Sequence, residues 1–363
     1  MADETGIDAI AAAIESPDRA VASAAQERWD TLTKPKGALG RLEDVGTWWS
    51  SVRGVCPPAP PQRPVLLILA ADHGVARTAR TSAYPPEVTA QMVRTFLAER
   101  AAANALARQV GARVRVVDIG VDADPHYLDD IDPQVASQRV RRGSGSIDRE
   151  DAMSREEAQR AFEVGVALVD AEVDADADLL IVGDMGIGNT TAAAAIVGLL
   201  APADVVSIVG RGTGIDDATW MRKCAAVRDA MRRGKEFKGS PLDLLATIGG
   251  PDLAAMVGIL LRAAQRRTPV ILDGTVPTAA ALIAHRAAYR SRDWWQAAHR
   301  STEPAHTAAL ERLDLVPLLD LRMRLGEGTG ALLALPLVAS AAAALGEMQT
   351  FDEAGVSTGA EPV

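Results

Sequence analysis

Cysteine and positive charge are both scarce in this sequence, and each shortage excludes a class of protein. Cys56 and Cys224 are the only cysteines in 363 residues, and they form no CxxC pair. With five histidines they give no ligand set of plausible spacing, so we expect no disulfide framework, no metal and no cofactor, and a reducing, cytoplasmic location. The net charge of -10 at pH 7 argues against nucleic-acid binding, which depends on clustered lysine and arginine.

Targeting signals and membrane-spanning runs are also missing from the sequence. The opening residues, MADETGIDAI, carry acids where a secretory signal has a basic region followed by an apolar stretch. The most apolar run, residues 331–345, is shorter than the roughly 20 residues that a transmembrane helix needs. We therefore expect this run to form a buried helix, and we expect no membrane partner.

The middle of the chain alternates short apolar runs with longer alanine-rich stretches at helical spacing. This alternation is typical of an α/β protein in which a Rossmann-like parallel sheet is flanked by helices, and a hydrophobic content of 48% can fill its core. Most of the predicted strands run into glycine-bearing loops, which indicates a ligand site at the carboxyl edge of the sheet. The strands are predicted at 65–71, 114–121, 178–186, 205–212 and 269–276.

The two ends of the chain differ from this middle part. Both show helical periodicity and lack a convincing buried strand, apart from a possible short strand near Leu315. We predict a large Rossmann-like domain over 56–310 that carries the substrate loops, and a small helical domain formed by 1–55 together with 311–363. Residues 122–151 form a long connection that is interpreted as an active-site loop or a dimer arm.

Two glycine-rich segments are candidates for phosphate binding. In GDMGIGNTTAAAA (183–195) a strand ends in glycines and a helix begins at Asn189, which suits a phosphate cradle, although a capped turn would look the same. The segment fits neither the Walker nor the GxGxxG pattern. GRGTGIDD (210–217) leads into a helix that carries Lys223, which could reach a phosphate or simply be solvated.

Two polar segments near the C-terminal end add acids and histidines. AHRSTEPAH (298–306) groups His299, His306, Ser301 and Glu303, but the histidine spacing is too long for one helical face, so a metal site is not predicted. Glu327 lies between two glycines just before an apolar helix. It suits a general base that faces a substrate, and equally an exposed acid beside a helix N-terminus.

Together these segments resemble the nicotinate-nucleotide:dimethylbenzimidazole phosphoribosyltransferases of cobalamin biosynthesis. The resemblance covers most of the chain and implies transfer of a phosphoribosyl group from nicotinate mononucleotide to 5,6-dimethylbenzimidazole by a homodimer with this two-domain fold. The motifs that carry it are LTKPKGALGRLE (32–43), ADHGVA (71–76), SAYPPEVTAQMV (82–93), VVDIGV (116–121), GDMGIGNTTAAAA (183–195), GRGTGIDD (210–217), ILDGTVPTAAAL (271–282), HRSTEP (299–304) and RMRLGEGTG (322–330).

The resemblance also implies roles for particular residues of this chain. It identifies Glu327 as the general base and Asp184 as a second acidic residue, where the family usually has the longer glutamate. The residues implied at the phosphate and ribose are Gly186, Gly188, Lys223, Ser301 and Gly326. The residues implied at the benzimidazole ring are Tyr84, Met92, Met185 and Leu325, whose apolar and polarizable side chains suit a flat aromatic base.

Two other functions are compatible with parts of the sequence. A nicotinamide-dependent oxidoreductase would need GxGxxG after the first strand, where this chain reads ADHGVART at 71–78. A catalytically impaired homologue that only binds a nucleotide or base would keep the cradle and lose the chemistry. Asp184 is the feature that favours this second alternative, and Glu327 argues against it.

Overall fold

A computed structural model describes residues 6–128 and 132–357 of the chain. Within these residues a single sheet of five parallel strands has the order β2-β1-β3-β4-β5. The predicted α/β fold with a parallel sheet and flanking helices is confirmed. The strands are β1 (Pro64–Ala71), β2 (Arg113–Gly120), β3 (Leu179–Met185), β4 (Val270–Leu272) and β5 (Trp295–Ala297).

Helices surround this sheet and make up most of the remaining chain. The α-helices are α1 (Ile7–Ala12), α2 (Arg19–Thr31), α3 (Arg41–Arg53), α4 (Gly74–Thr78), α5 (Val88–Leu97), α6 (Ala102–Val110), α7 (Arg155–Asp174), α8 (Asn189–Leu200), α9 (Val205–Ile208), α10 (Asp217–Gly234), α11 (Pro241–Ile248), α12 (Pro251–Gln265), α13 (Thr275–Ala287), α14 (Pro304–Leu313), α15 (Thr329–Glu347) and α16 (Phe351–Ala354). Short 3-10 segments cover Pro125–Leu128, Pro133–Ala136, Lys235–Phe237 and Tyr289–Trp294.

The strand order places the point at which the chain changes direction between β1 and β3. From β1 the chain forms β2 on one side, and then crosses to build β3, β4 and β5 on the other. Every residue of β1 is buried, as expected for a central strand that helices cover on both faces. In open parallel sheets a ligand crevice forms outside the carboxyl ends of the strands at such a point.

The structure differs from the strand predictions in three places. The run 205–212 does not enter the sheet: it forms the short helix α9 and then a loop. Val206 is 68% exposed, and only residues 208–210 of the run are buried. The fifth strand, β5, was missed because three residues of a tryptophan-containing segment give no periodic signal. The run 269–276 holds a strand only in its middle, since α13 already begins at Thr275.

Helices from the two chain ends pack on each other. Helix α3 packs against α15 and α2. The Trp29 ring lies so close to the backbone of Gly46 that a Cβ atom there would be 2.6 Å from the ring. Ala25, Trp29, Leu32 and Leu345 form a small buried cluster between the ends. Because α1 packs on α12 and the main core is continuous from the sheet into α3 and α15, the division into two domains stays a prediction.

Helix α15 contains the most apolar part of the sequence. The helix spans 19 residues, which makes it long and apolar enough to cross a membrane by length and composition alone, so the expectation that the run is too short was wrong. The helix extends beyond the apolar run at both of its ends. Its residues Ala331, Leu332, Val338 and Ala342 are buried in the core, which confirms the prediction of a buried helix.

The described parts of the connection, residues 122–128 and 132–151, make backbone contacts at the ends of β1 and β2. Its backbone meets the end of β1, where Ser144 N–H donates to the Asp72 carbonyl over 2.8 Å. None of its described residues lines the cavity that is built by the loops after β3 and β4. The interpretation of this connection as an active-site loop or a dimer arm stays a prediction, and its described residues do not contribute to the cavity of their own chain.

Candidate active site

A cavity of about 730 Å³ opens at the carboxyl edge of the sheet. It is lined by segments that follow β1, β3, β4 and β5, together with the turn before α15. All the site residues that the sequence singled out line this one cavity: Tyr84, Met92, Asp184, Met185, Gly186, Gly188, Lys223, Ser301, Leu325, Gly326 and Glu327. The structure thus brings together segments that lie far apart along the chain.

Residues 186–188, here called the glycine loop, join β3 to α8. Gly186 passes so close to β1 that a Cβ atom there would lie 1.9 Å from the Ala71 carbonyl oxygen. Gly188 has a φ of 99°, in the left-handed region that glycine adopts without strain, and it is the N-cap of α8. Glycine is therefore required at both positions, and the loop backbone faces the cavity at a helix N-terminus, where anions bind.

Lys223 is buried, although it is one of the longest charged side chains. It is 1% exposed, and its ammonium group donates to the Thr190 hydroxyl over 2.9 Å and to the Gly210 carbonyl over 3.4 Å. Burial lowers the pKa of Lys223, and the nearby Glu303 carboxylate opposes that shift. Lys223 is therefore not a solvated surface residue, because its side chain is buried and its ammonium group is held by hydrogen bonds beside the cavity.

Ser301 and Glu303 stand on the loop between β5 and α14. The Glu303 carboxylate accepts the Gly212 N–H over 2.8 Å, and the Ser301 hydroxyl accepts the Glu303 N–H over 3.3 Å. These contacts connect a set that we call the polar network. Its members are Thr190, Gly212, Lys223, Ser301 and Glu303.

His306 supports this loop from inside the core. Its Nδ1 atom accepts the Ser301 N–H over 3.0 Å, and Nε2 lies 3.1 Å from the Thr278 hydroxyl. Burial lowers the pKa of His306 to about 3, so its ring is neutral at physiological pH.

Across the described ranges 6–128 and 132–357, no group of three or more His, Cys, Asp or Glu is arranged to hold a metal ion.

Glu327 occupies a tight turn just before α15. Its φ is 61°, and Gly326 and Gly328 on either side are also left-handed, with φ of 81° and 78°. The side chain is 4% exposed, and its Oε2 atom has no hydrogen-bond partner among the described residues. Burial, followed by the charge of Asp273, raises the pKa of Glu327 to about 7. Glu327 is therefore not an exposed turn acid but a buried carboxyl group that can take up a proton near neutral pH.

Asp184 shares the cavity with Glu327. Its Oδ2 atom accepts the Asn189 side-chain amide over 2.7 Å, and a Cβ atom on Gly326 would lie 3.3 Å from both carboxylate oxygens. Burial raises the pKa of Asp184 well above its usual value, and the carboxylates of Asp273, Asp252 and Glu327 add to the shift. Burial is thus the main cause of a raised pKa at both cavity acids, Asp184 and Glu327.

Asp273 follows β4 and holds the turn on which Glu327 stands. Its carboxylate accepts the N–H of Gly328 over 3.1 Å and that of Ala331 over 3.0 Å, and His299 Nε2 lies 3.7 Å away. The N-cap of α15 is a glycine that has no side-chain cap, so Asp273 satisfies the first turn of the helix from another element. Sequence reasoning missed Asp273, although its position between a strand end and Gly274 is a usable signal.

The remaining lining is apolar and more open. Tyr84 is 55% exposed and Leu325 56% exposed, whereas Met92 and Met185 are half-buried. We call these residues, together with a valine on α5, the apolar set. Its members are Tyr84, Val88, Met92, Met185 and Leu325.

Several lining residues were not singled out from the sequence. They are polar residues, mostly of loops: Thr81, Ser82, Thr213, Thr275 and Arg324. Arg324 donates to the Gly212 carbonyl over 2.7 Å, so it links the turn before α15 to the polar network. Isolated threonines and arginines carry no periodic signal, and their place in a quoted motif was the only available hint.

Comparison with known proteins agrees with this geometry. The DBI_PRT phosphoribosyltransferase family matches residues 14–356. A nicotinate-nucleotide–dimethylbenzimidazole phosphoribosyltransferase of Mycobacterium avium is 57% identical over 95% of this chain and 97% of its own length. The enzyme of that name from Mycobacterium tuberculosis is 54% identical over 96% of this chain and 94% of its own length.

A solved structure extends the similarity to the whole fold. The crystal structure of CobT from Thermus thermophilus is 44% identical and superposes with a TM-score of 0.88, covering 94% of this chain and 100% of the other. The family match, the relatives and this superposition all span nearly the complete chain. The chain belongs to the family of nicotinate-nucleotide:dimethylbenzimidazole phosphoribosyltransferases.

Proposed function

We propose that this chain transfers the 5-phosphoribosyl group of nicotinate mononucleotide to 5,6-dimethylbenzimidazole. The products are α-ribazole 5'-phosphate, for the lower ligand of cobalamin, and nicotinate. The observation that carries the proposal is Glu327, a buried residue that lines the cavity. Its Oε2 atom has no hydrogen-bond partner among the described residues, and its pKa is raised to about 7. The names of the relatives support the same substrates.

The chemistry requires one proton acceptor. One ring nitrogen of the base attacks the anomeric carbon, the bond from that carbon to the nicotinate nitrogen breaks, and the pyridine nitrogen keeps the electron pair. The other ring nitrogen then loses its proton to Glu327. A carboxyl group with a pKa near the working pH is suited to this step, because it accepts the proton readily and gives it up again to solvent.

The polar side of the cavity is proposed to hold the phosphate and ribose. Lys223 supplies the positive charge, the Ser301 hydroxyl is a donor, and Gly186 and Gly188 offer backbone at the α8 N-terminus. Gly326 lies beside Asp184 and leaves space there. Asp184 would orient the ribose or the base by hydrogen bonding, whereas Glu327 accepts the reaction proton.

The apolar set is proposed to receive the benzimidazole ring. Tyr84, Met92, Met185 and Leu325 present flat or polarizable surfaces, and apolar contact with an aromatic ring removes both from water. The large exposed fraction of Tyr84 and Leu325 leaves apolar surface at the opening of the cavity.

A homodimer and a cytoplasmic location are further parts of this proposal. The division into a domain of residues 56–310 and a domain of residues 1–55 with 311–363 is another part.

The assay of nicotinate release from the mononucleotide, with and without the base, tests the proposed function. A transferase releases nicotinate only when base is present, and one α-ribazole phosphate forms for each nicotinate. Binding of both compounds without release would favour the catalytically impaired homologue. Hydride transfer to a nicotinamide dinucleotide would favour the oxidoreductase, for which the glycine spacing after β1 is wrong.

A further inference from the structure

Thr89 lies directly behind the cavity without lining it. It is the second residue of α5 and is fully buried. Its neighbour Val88 and the next turn's Met92 both line the cavity and belong to the apolar set. A movement of the first turn of α5 would therefore displace the surface proposed to receive the base.

The hydroxyl of Thr89 makes two hydrogen bonds to other segments. It accepts the N–H of Ile187, in the middle of the glycine loop, over 3.1 Å. It donates to the Asp72 carboxylate over 2.5 Å. A hydroxyl group can serve as donor and acceptor at once, and here both functions are used in the buried interior.

Asp72 is a fixed acceptor, because each of its polar groups is engaged after the end of β1. Its second carboxylate oxygen accepts the Asp122 N–H over 2.8 Å. Its own N–H donates to the Gly120 carbonyl over 2.9 Å, and its carbonyl accepts the Ser144 N–H over 2.8 Å. Asp72, which orients Thr89, is thus held by the last residue of β2 and by two residues of the connection that follows it.

The glycine loop is held from the same side by a second contact. The Ile187 carbonyl accepts the His73 N–H over 3.1 Å, so both halves of the Ile187 backbone are paired outside the loop. A Cβ atom on Gly188 would lie 3.0 Å from the His73 Cβ atom, which shows how closely the loop rests on this segment. Of these two backbone contacts, only the one from Thr89 is made by a side chain and can be removed by substitution.

We propose that Thr89, oriented by Asp72, is a positioning residue that fixes the glycine loop relative to the apolar set. One hydroxyl group thereby sets the separation between the phosphate side and the base side of the cavity. The inference rests on the proposed function for its catalytic consequence. Its structural part, the restraint on Ile187, holds whatever reaction the cavity catalyses.

The test compares three variants by steady-state kinetics with both substrates. Thr89→Val keeps the shape and removes the hydroxyl, and we expect kcat/KM to fall by about 10- to 100-fold, since a misplacement of about 1 Å in a reacting pair costs about that much. Thr89→Ser restores the hydroxyl and should recover most of the activity. Thr95→Val is the matched control: it removes a hydroxyl of the same helix that, among the described residues, donates to the Gln91 carbonyl of its own helix, over 2.9 Å.

Hydrogen–deuterium exchange of the peptide that contains residues 183–190 provides a second readout. Exchange should be faster in Thr89→Val than in Thr95→Val or Thr89→Ser. Unchanged exchange, or equal kcat/KM for the two valine variants, would overturn the inference. If Thr89→Val does not fold, Asp72→Asn is measured instead, with the same expected exchange and the same overturning result. A wild-type protein that releases no nicotinate would refute the proposed function, while the exchange result would still decide the role of Thr89.

Discussion

The polar network and the apolar set line one cavity but are built in opposite ways. In the polar network Lys223 is 1%, Ser301 5% and Glu303 7% exposed, and each is connected to the backbone or to another side chain of the network. In the apolar set Tyr84 and Leu325 are more than half exposed. The difference indicates that the nucleotide side is rigid before substrate arrives, whereas the base side can adjust to the ring it receives.

The two acids stand within the segments of the apolar set rather than with the polar network. Asp184 precedes Met185, and Glu327 follows Leu325 by two residues. Burial is the first cause of the raised pKa of both acids. The two sides therefore differ in their electrostatics: on the nucleotide side the ammonium group of Lys223 lies near the carboxylate of Glu303, whereas on the base side burial raises the pKa of two carboxyl groups.

The largest effect is expected from Glu327→Gln, which removes the proton acceptor and keeps the side-chain volume. The variant should bind both substrates and lose kcat by about 10²- to 10⁴-fold, the usual contribution of a positioned general base. Asp184→Asn should cost much less, and Asp184→Glu should be tolerated. Kinetics of the three variants on the same substrates check this. A Glu327→Gln enzyme with near wild-type kcat would remove Glu327 from the role of base.

Lys223→Met tests whether the polar network acts in binding. The methionine keeps the apolar stem and removes the charge, so KM for nicotinate mononucleotide should rise about 10- to 100-fold, the equivalent of one charged hydrogen bond, while kcat changes little. KM for the base should stay close to its wild-type value. A large loss of kcat at unchanged KM would mean that the ammonium group acts in the transition state.

The pH dependence of the wild-type enzyme sharpens the contrast between the two sides. Glu327 must be deprotonated to act as base, and its pKa is raised to about 7, so kcat/KM should fall about tenfold per pH unit below that value. A carboxyl group with the ordinary value of 4.5 would keep the rate nearly constant as the pH falls toward that value. The profile is measured at subsaturating concentrations of the base, and an acid limb near the ordinary value would contradict the burial argument.

The smallest effect is expected on the base side. Leu325→Ala should raise KM for dimethylbenzimidazole only a few-fold, roughly the 1 kcal/mol that a partly exposed leucine contributes by contact. Leu321→Ala is a matched control, because Leu321 is 57% exposed, as Leu325 is 56% exposed, but lies outside the cavity. Equal KM values for the two variants would show that Leu325 does not touch the base.

The sequence was most informative where glycine marks a backbone constraint. Gly186, Gly188 and the glycines around Glu327 occupy positions where a side chain would clash or strain the chain, so their pattern predicted the loops correctly. It was least informative where a contact joins distant segments. The role of Asp273 depends on β4 lying beside the turn before α15, and that neighbourhood is set by tertiary packing.

The strand errors have the same origin. The apolar run at 205–212 has strand-like composition, but Val206 faces solvent and the segment forms α9, which packs against α8, α10 and α14 rather than against a strand. Strand β5, at the edge of the sheet, is only three residues long and pairs with β4. Local propensity does not determine whether such segments form strands, because that depends on whether a neighbouring strand pairs with them.

The left-handed backbone at Glu327 has a consequence for how this fold can be engineered. Glycine or asparagine would adopt that conformation more readily than glutamate, so the carboxyl group is kept at some expense in thermal resistance. A search for variants that withstand higher temperature would therefore select replacements at this residue and return inactive proteins. Stabilisation by directed evolution has to be screened for turnover as well as for melting temperature, because at this turn the two properties pull in opposite directions.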